Sequence, residues 1–592
     1  MPSTFFGLNI GTSGLYTYQA ALNTTAHNVS NTDTKGYTRQ IVNQQAGVAI
    51  RMNSSYGMAG TGVVATGITQ ARDAYYDAKY RNNNSIYGAY GAKNYYMTEI
   101  ENYFNEVTVE GYTTTSNKFF DSLQSLSTNP ASLTNRTAVV NYAKTLTEYF
   151  NSLSNSLTNI QKESNFEVKN QVDKINSLAQ QIAAVTKQIN TLEARGTTAN
   201  DLRDQRELLI DSLSEIGGVS VTEHVVGMDV GVTSYVVKFE GQNLVNTDQY
   251  NTLQVVPRTT KENLNDAEGL YDIKWSNGND FGFQSAVSNG YLQSLLQVRD
   301  GNNGEILSGK INQVGTDTDT TSDTYGNRVI TLSGVNLPIE KLNISTEGSI
   351  KFGNKTYHYK KMDIDTTKNP YEIKLTLDTT DSVGAVGDST TICDSVPYKG
   401  IPYYMSQLNE LVRVFAKEYN NVHKTGYDLN GDKGTDFFNG SVPATGANYD
   451  LDNVSYYYLT ASNFTVSEEF FKDPSKLALS SDKDLGVENK DILDKLMKLK
   501  SDSTMFKQGT PASFFQTMVA EIGIDSKKAS NSVESQTDIL KMITNQRLSV
   551  SGVDMDEEAM NLVLYQNAYN LSAKVISIMN EVYDKLINGT GV

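Results

Sequence analysis

The sequence predicts a multidomain α+β protein: N- and C-terminal helices paired as a coiled-coil-like domain, a long helical bundle domain, and one or two inserted β-rich domains. Three observations carry this. Apolar residues stand at heptad spacing at both ends, helical periodicity runs from about 95 to 216 and resumes at 405, and short alternating runs fill the stretch between about 218 and 400. At 592 residues the chain exceeds what one hydrophobic core serves, so three or four domains are expected.

Taken in order, Leu8, Gly11, Leu15, Tyr18, Leu22, Thr25 and Val29 repeat at steps of three and four, a heptad seam with weak members. It breaks between Asn31 and Tyr37, where Asn, Asp and Gly36 favour the turn conformations that end a helix. A short β-like stretch with glycines follows, through Val64.

Tyr96, Ile100, Tyr103, Phe104 and Val107 line one helical face, and Phe119, Phe120, Leu123 and Leu126 another, before Asn129 and Pro130 stop the helix. One apolar stripe runs Val139, Ala143, Leu146, Phe150, Leu153, Leu157, Ile160, and a second runs Ile175, Leu178, Ile182, Val185, Ile189, Leu192. These read as long antiparallel helices of a bundle. Gly196 marks a turn, Asn200 or Asp201 can cap the next helix, and Gly217 and Gly218 close it.

In the β-rich stretch, Tyr371 to Leu377 is apolar at every second residue, and a helix near 290–300 interrupts the pattern. Helical spacing resumes at Met405, Leu408, Leu411, Val412, Phe415 and Tyr419. The last segment is the most regular: Leu562, Tyr565, Tyr569, Ser572, Ile576, Met579, Tyr583 and Leu586 form a seam over more than three heptads. Asp554 is placed as its N-cap with Glu557 as capping-box partner, and Asp556, Glu557 and Glu558 suit the positive end of the helix dipole. Matching seams at both ends predict that these helices pair with each other or with neighbouring copies. The apolar burial of one seam is smaller than the backbone entropy of ordering its helix, so the ends are expected to be loose in the monomer and to order on assembly.

Composition excludes several function classes. The formal net charge of -17, with no clustered Lys and Arg, argues against binding nucleic acid. The single Cys393 rules out an internal disulfide and a zinc site of several thiolates, and reads as a buried small residue. No run approaches the length of a membrane-spanning helix, and Met1 to Thr32 lacks the basic start of a secretory signal. His27, His224, His358 and His423 are scattered. Asp428, Asn430 and Asp432 have EF-hand spacing, but Lys433 replaces the glycine and Asn439 the closing glutamate, which favours a solvated turn. Gly57, Gly60 and Gly62 fit no phosphate-binding loop, and the acidic trio at 556–558 has a helix-dipole explanation. No catalytic, cofactor or metal site is expected.

Ala26 to Tyr37, with Asn28, Asn31, Gly36 and Tyr37, resembles the N-terminal signature of flagellar axial proteins of the rod, hook and hook-associated group. Gly62-Val63, Ile68, Arg72-Asp73, Tyr80-Arg81, Phe119 to Pro130 and Asp201 to Arg206 look like segments of the hook-associated members. Phe415 to Gly431 and Ser551 to Ala559, with Gly552, Asp556, Glu557 and Glu558, closely resemble the FlgK family of flagellar hook-associated proteins; the likeness does not cover 301–400.

The resemblance implies a non-enzymatic, secreted structural subunit of a short self-assembled ring between hook and filament, adjoining hook protein and hook-associated protein 3. It implies export by the flagellar type III apparatus without a cleaved signal, and an export chaperone, FlgN, on the C-terminal segment. The implied layers are 1–50 with 550–592 innermost, 51–217 with 401–549 and the helix near 290–300 as helical core, and 218–289 and 301–400 as outer β insertions. Assembly contacts would fall on Leu8, Leu15, Tyr18, Leu22, Val29, Leu562, Tyr565, Tyr569, Ile576, Met579, Tyr583 and Leu586. Another axial protein, such as hook-associated protein 3 or hook protein, is the alternative within the class; an adhesin or enzyme module in the β insertion is the alternative outside it.

Overall fold

The computed structural model describes residues 6–53, 57–105, 111–226, 232–282, 290–353, 355–442, 445–451, 455–485 and 489–589; Val107 lies outside them. Helix α1 (Phe6–Ser30) leads into strands β1 (Gln40–Ala46), β2 (Ile50–Asn53), β3 (Gly57–Ala59) and β4 (Val63–Gln70). β1 and β4 form an antiparallel ribbon that slips register between Asn43 and Gln44, with β2 and β3 paired beyond it.

Four helices follow: α2 (Ala74–Phe104), α3 (Tyr112–Thr128), α4 (Leu133–Glu193) and α5 (Asn200–Ile216). α4 is one continuous helix of 61 residues, about 90 Å long at about 1.5 Å per residue. The two apolar stripes expected on separate antiparallel helices therefore lie on one. Between them Gln161 to Lys174 holds neither Gly nor Pro, and the buried Val168 and Val172 carry the stripe across. The α5 cap also differs from expectation. The N-cap is Ala199, without a side-chain bond, because the Asn200 amide is turned to Gln40 Oε1 and Ile68 O.

Strands β5 (Val219–Val225), β6 (Thr233–Phe239), β7 (Gln242–Asn246) and β8 (Gln249–Tyr250) make a four-stranded sheet, and β9 (Leu253–Pro257) pairs with β10 (Tyr271–Trp275). Both lean on α4, where Asn190 bonds Thr233 and Asn176 bonds Leu253 through N–H and C=O alike. After α6 (Tyr291–Asp300) come β11 (Leu307–Thr316), β12 (Arg328–Ser333), β13 (Gly348–Phe352), β14 (Lys355–Asp365), β15 (Glu372–Leu377) and β16 (Ser389–Ile392). These close into a barrel in the order β11-β12-β15-β14-β13-β16.

The chain then returns through α7 (Ile401–His423), the short pair β17 (Phe438–Gly440) and β18 (Phe464–Val466), α8 (Glu468–Lys472), α9 (Asp491–Lys498), α10 (Pro511–Ser551) and α11 (Met555–Asn588). Helices α2 to α7 and α10 share one core, including Phe104, Phe119, Phe150, Leu157, Ile182, Leu411, Tyr419 and Phe515, and the four-stranded sheet adds Tyr235, Val237 and Phe239 to it. The barrel has its own core around Leu332, Ile350, Tyr359, Ile373 and Leu375, closed at its base by Tyr457 from outside the barrel. The α+β architecture is thus a helical body with one sheet folded into its core, a barrel beside it, and the two chain ends paired apart.

Candidate functional site: the paired chain ends

α1 and α11 run antiparallel, and glycines set how closely they approach. A Cβ on Gly7 would stand 2.7 Å from Met579 Cε, one on Gly11 2.9 Å from Ile576 Cγ1, and one on Gly14 2.8 Å from Ser572 Oγ. The buried face of α1 consists of small and polar residues: Gly11, Gly14, Thr17, Ala21, Thr24, Thr25 and Asn28. Leu8, Leu15, Tyr18, Leu22 and Val29 flank it, half-buried, as do Tyr565, Tyr569, Ile576, Met579 and Tyr583 on α11. Leu562 and Leu586 are exposed.

Across the 34 residues of α11 the one buried residue is Glu558. Val563, Leu564, Leu571, Val575, Ile578, Val582 and Ile587 are exposed. A surface helix ordinarily turns such residues inward. Here half-buried apolar side chains meet α1 and further large ones are left exposed on the same helix, the kind of apolar surface that marks an interaction site.

The loop after α1 locks this pair to the rest of the chain. Asn28, fully buried, accepts from Gln40 N at 3.0 Å and donates to Gln40 O at 2.9 Å, so its amide continues the β1 ladder onto the helix. Tyr37 Oη donates to Asn28 Oδ1 at 2.8 Å and contacts His27 Nδ1 at 2.9 Å. Asn31 Nδ2 bonds His27 O, and Gly36 turns the chain at φ 80°, where a Cβ would also overlap the Leu208 side chain.

Opposite this loop, Asp554 Oδ1 caps α11 by accepting from Asp556 N at 2.9 Å and Glu557 N at 3.2 Å. The expected return bond of a capping box is replaced. Glu557 takes Arg39 Nη1 at 3.0 Å and Glu558 takes Arg39 Nε at 2.7 Å, charge-assisted bonds stronger than one to an amide. Arg39 N also donates to Ser551 O at 2.9 Å, where Gly552 ends α10. Sequence reasoning missed Arg39 and the contact role of Gly7 and Gly14.

Behind Arg39 lies a cleft of about 1000 Å³. Arg72 pairs with Asp77 at 2.6 Å, Arg81 with Asp211 at 2.9 Å and with Glu207, and Arg547 with Asp77 at 2.8 Å and Asp211 at 2.6 Å. Asp204 accepts from Thr38 N at 2.9 Å. Burial pushes the Glu207 carboxyl up, but the Arg81, Arg72 and Arg206 guanidiniums outweigh it and hold it at about 2. Arg72, Arg81 and Arg547 are each held by carboxylates from other elements, so the cleft is a structural joint between the chain ends and the helical body.

The remaining candidates disperse. His423 is buried between Thr435 O and Ala478 N, and burial lowers it to about 4; His358 bonds Ser349, and His224 is exposed. Asp428 Oδ1 accepts from Asn430 N and Asp432 N of its own turn. Cys393 is half-buried and donates to Glu262 O. Among the described residues no group of three or more His, Cys, Asp or Glu is placed to hold a metal ion, and no helix is long and apolar enough to cross a membrane.

Three family models match the chain: "Flagellar hook-associated protein FlgK helical domain" over 97–327 and 316–438, "Flagella basal body rod protein" over 8–38, and "Flagellar basal body rod FlgEFG protein C-terminal" over 541–589. The chain is 27% identical to flagellar hook-associated protein 1 of Bacillus subtilis, over 100% of this chain and 99% of that one. It is 26% identical to the protein of the same name from Escherichia coli, over 98% and 99%. A solved structure of the flagellar hook junction protein FlgK from Burkholderia pseudomallei, 16% identical, aligns with 80% of this chain and 100% of that one at a TM-score of 0.48.

Proposed function

Because this chain belongs to the flagellar hook-associated protein FlgK family, we propose that it is a structural subunit of the hook-filament junction of the bacterial flagellum and polymerises there through its terminal helices. The observation that supports the mechanism is α11, which buries Glu558 alone while large apolar residues such as Leu564, Leu571, Ile578 and Val582 stand exposed on it. Neighbouring copies that cover those residues add the burial that one α1 cannot.

On this reading the paired ends, 1–50 with 550–592, form the inner layer of a ring, and the helical body surrounds it; the sheet expected as an outer insertion over 218–289 shares that body's core, so the barrel alone lies outward. Its ends order fully on assembly. Hook protein adjoins the ring on one side and hook-associated protein 3 on the other. The subunit is not an enzyme and works outside the cell, exported by the flagellar type III apparatus without a cleaved signal, its C-terminal segment held beforehand by the chaperone FlgN.

The test is to delete Leu562 to Val592 and observe whether filaments attach to hooks. Loss of attachment is expected, and normal attachment would overturn the terminal-helix mechanism. Separately, slow hydrogen exchange throughout both ends of the free monomer would contradict ordering on assembly.

A further inference from the structure

The base of the barrel rests on the loop between β9 and β10, and the contact centres on Glu262. Its carbonyl accepts from two groups at the barrel base, Ser345 N at 3.2 Å and Cys393 Sγ at 2.9 Å, while Leu264 packs against the barrel core. The chain's passages into and out of the barrel are clasped by Asn302, which donates to Asp394 O at 2.8 Å and accepts from Val396 N at 3.0 Å.

Charge is unbalanced at this seat. From its own loop Glu262 faces Arg258 and Asp266, from α6 Asp300, and from the end of the barrel Asp394. Just beyond them lie Asp272 on β10, Arg299 on α6, Lys351 on β13, and the Lys261–Glu268 pair. Arg258 serves three carboxylates and stands 2.7 Å from Asp272 and 3.1 Å from Asp300, but 3.8 Å from Glu262. Arg299 is committed to Asp300, and Lys351 to Asp394. Glu262 thus holds the weakest claim on a cation in an acidic surrounding.

We propose that Glu262 is a proton-operated latch: a proton on its carboxyl seats the barrel firmly on the helical body, and loss of that proton loosens it. Burial, then the carboxylates of Asp300, Asp394 and Asp266, raise this carboxyl to about 7 against the pull of Arg258. Unseating takes away Asp394 and the cover of the barrel but leaves Arg258, Asp266 and Asp300 in place, so the carboxyl falls toward the ordinary glutamate value of about 4.3. Seating therefore takes up a proton, and it strengthens as pH falls from above 7 toward that value. Between pH 8 and pH 6 this linkage amounts to about three- to tenfold in the seating equilibrium, the lower figure allowing for solvent at a side chain 31% exposed.

Cys393, the chain's single cysteine, reads the seat directly, since its thiol donates to the Glu262 carbonyl. Protection is the labelling rate by a small disulfide reagent in the urea-unfolded full-length chain divided by that in the folded chain at the same pH. Protection should be three- to tenfold higher at pH 6 than at pH 8. Glu262→Gln should keep the acid level at both, and Asp394→Asn, if the first variant folds poorly, should move the midpoint to lower pH. Equal protection at the two pH values, undiminished pH dependence in Glu262→Gln, or an unmoved midpoint in Asp394→Asn would each overturn the proposal.

Discussion

Arg39 and Glu558 stand 519 positions apart in the chain, yet Arg39 Nε donates to Glu558 Oε1 at 2.7 Å. The Glu558 side chain is 2% exposed and that of Arg39 18%. Removing the cation strands a buried carboxylate, so Arg39→Ala should destabilise the first turns of α11 by about 3 kcal/mol. Hydrogen exchange of the 555–560 amides checks this. The double variant Arg39→Ala, Glu558→Ala should lose clearly less than the two single losses added, because the second change removes the stranded charge.

The glycines between α1 and α11 set up a contest of two effects. Alanine in place of Gly11 would favour the helix by about 1 kcal/mol, but its methyl would press on Ile576 Cγ1 at 2.9 Å. Overpacking costs about 1–3 kcal/mol, and leucine leaves no room for relaxation. Gly11→Leu should therefore separate the helices, seen as faster proteolysis of α1 with the helical body unchanged, whereas Gly11→Ala should be close to neutral.

Glu207 makes the joint acid-sensitive. Its carboxyl is held at about 2 by three guanidiniums, below the ordinary glutamate value near 4.3. A depressed carboxyl contributes stability that is fully present above the unfolded value and lost as pH falls through the folded one. That contribution is about 3 kcal/mol. Urea unfolding of the helical body at pH 7, 4 and 2.5 should show a steep loss below pH 4, and Glu207→Gln should be weaker at pH 7 and flatter below it.

Arg413 on α7 is fully buried and donates to four carbonyls, those of Leu459, Tyr457, Glu340 and Leu342, which span the base of the barrel. Burial lowers it to about 10. Arg413→Leu should cost about 3 kcal/mol or more, since each orphaned carbonyl loses about 1–3 kcal/mol. Arg413→Lys should not restore it, because an ammonium lacks the planar fork of five donors. Thermal unfolding, with proteolysis of the 301–400 segment as a second readout, measures both.

The sequence was legible where large apolar side chains recur. The α4 stripes and the alternation of β15 rest on residues such as Leu157 and Leu375, whose burial leaves a periodic trace, and the α11 seam rests on half-buried ones such as Ile576. Of the contact face of α1 the seam caught Gly11 and Thr25 alone, because Gly7, Gly14 and Thr17 carry little hydropathy and their role is to let backbones approach. Arg39 was hidden for a different reason: its carboxylates lie at the far end of the chain, and local spacing cannot report a long-range ion pair. The continuity of α4 could have been read, since no helix breaker separates Ile160 from Ile175 and Val168 and Val172 bridge the stripes.

The outward face of α11 tests the central claim most directly. Leu571 and Ile578, seven residues apart on one face, are 68% and 47% exposed, so L571E with I578E should leave the free chain's melting within about 0.5 kcal/mol of the parent. In cells carrying only this variant, filament attachment to hooks should be lost although the protein folds and is exported. Normal attachment with both charges in place would contradict assembly through the terminal helices.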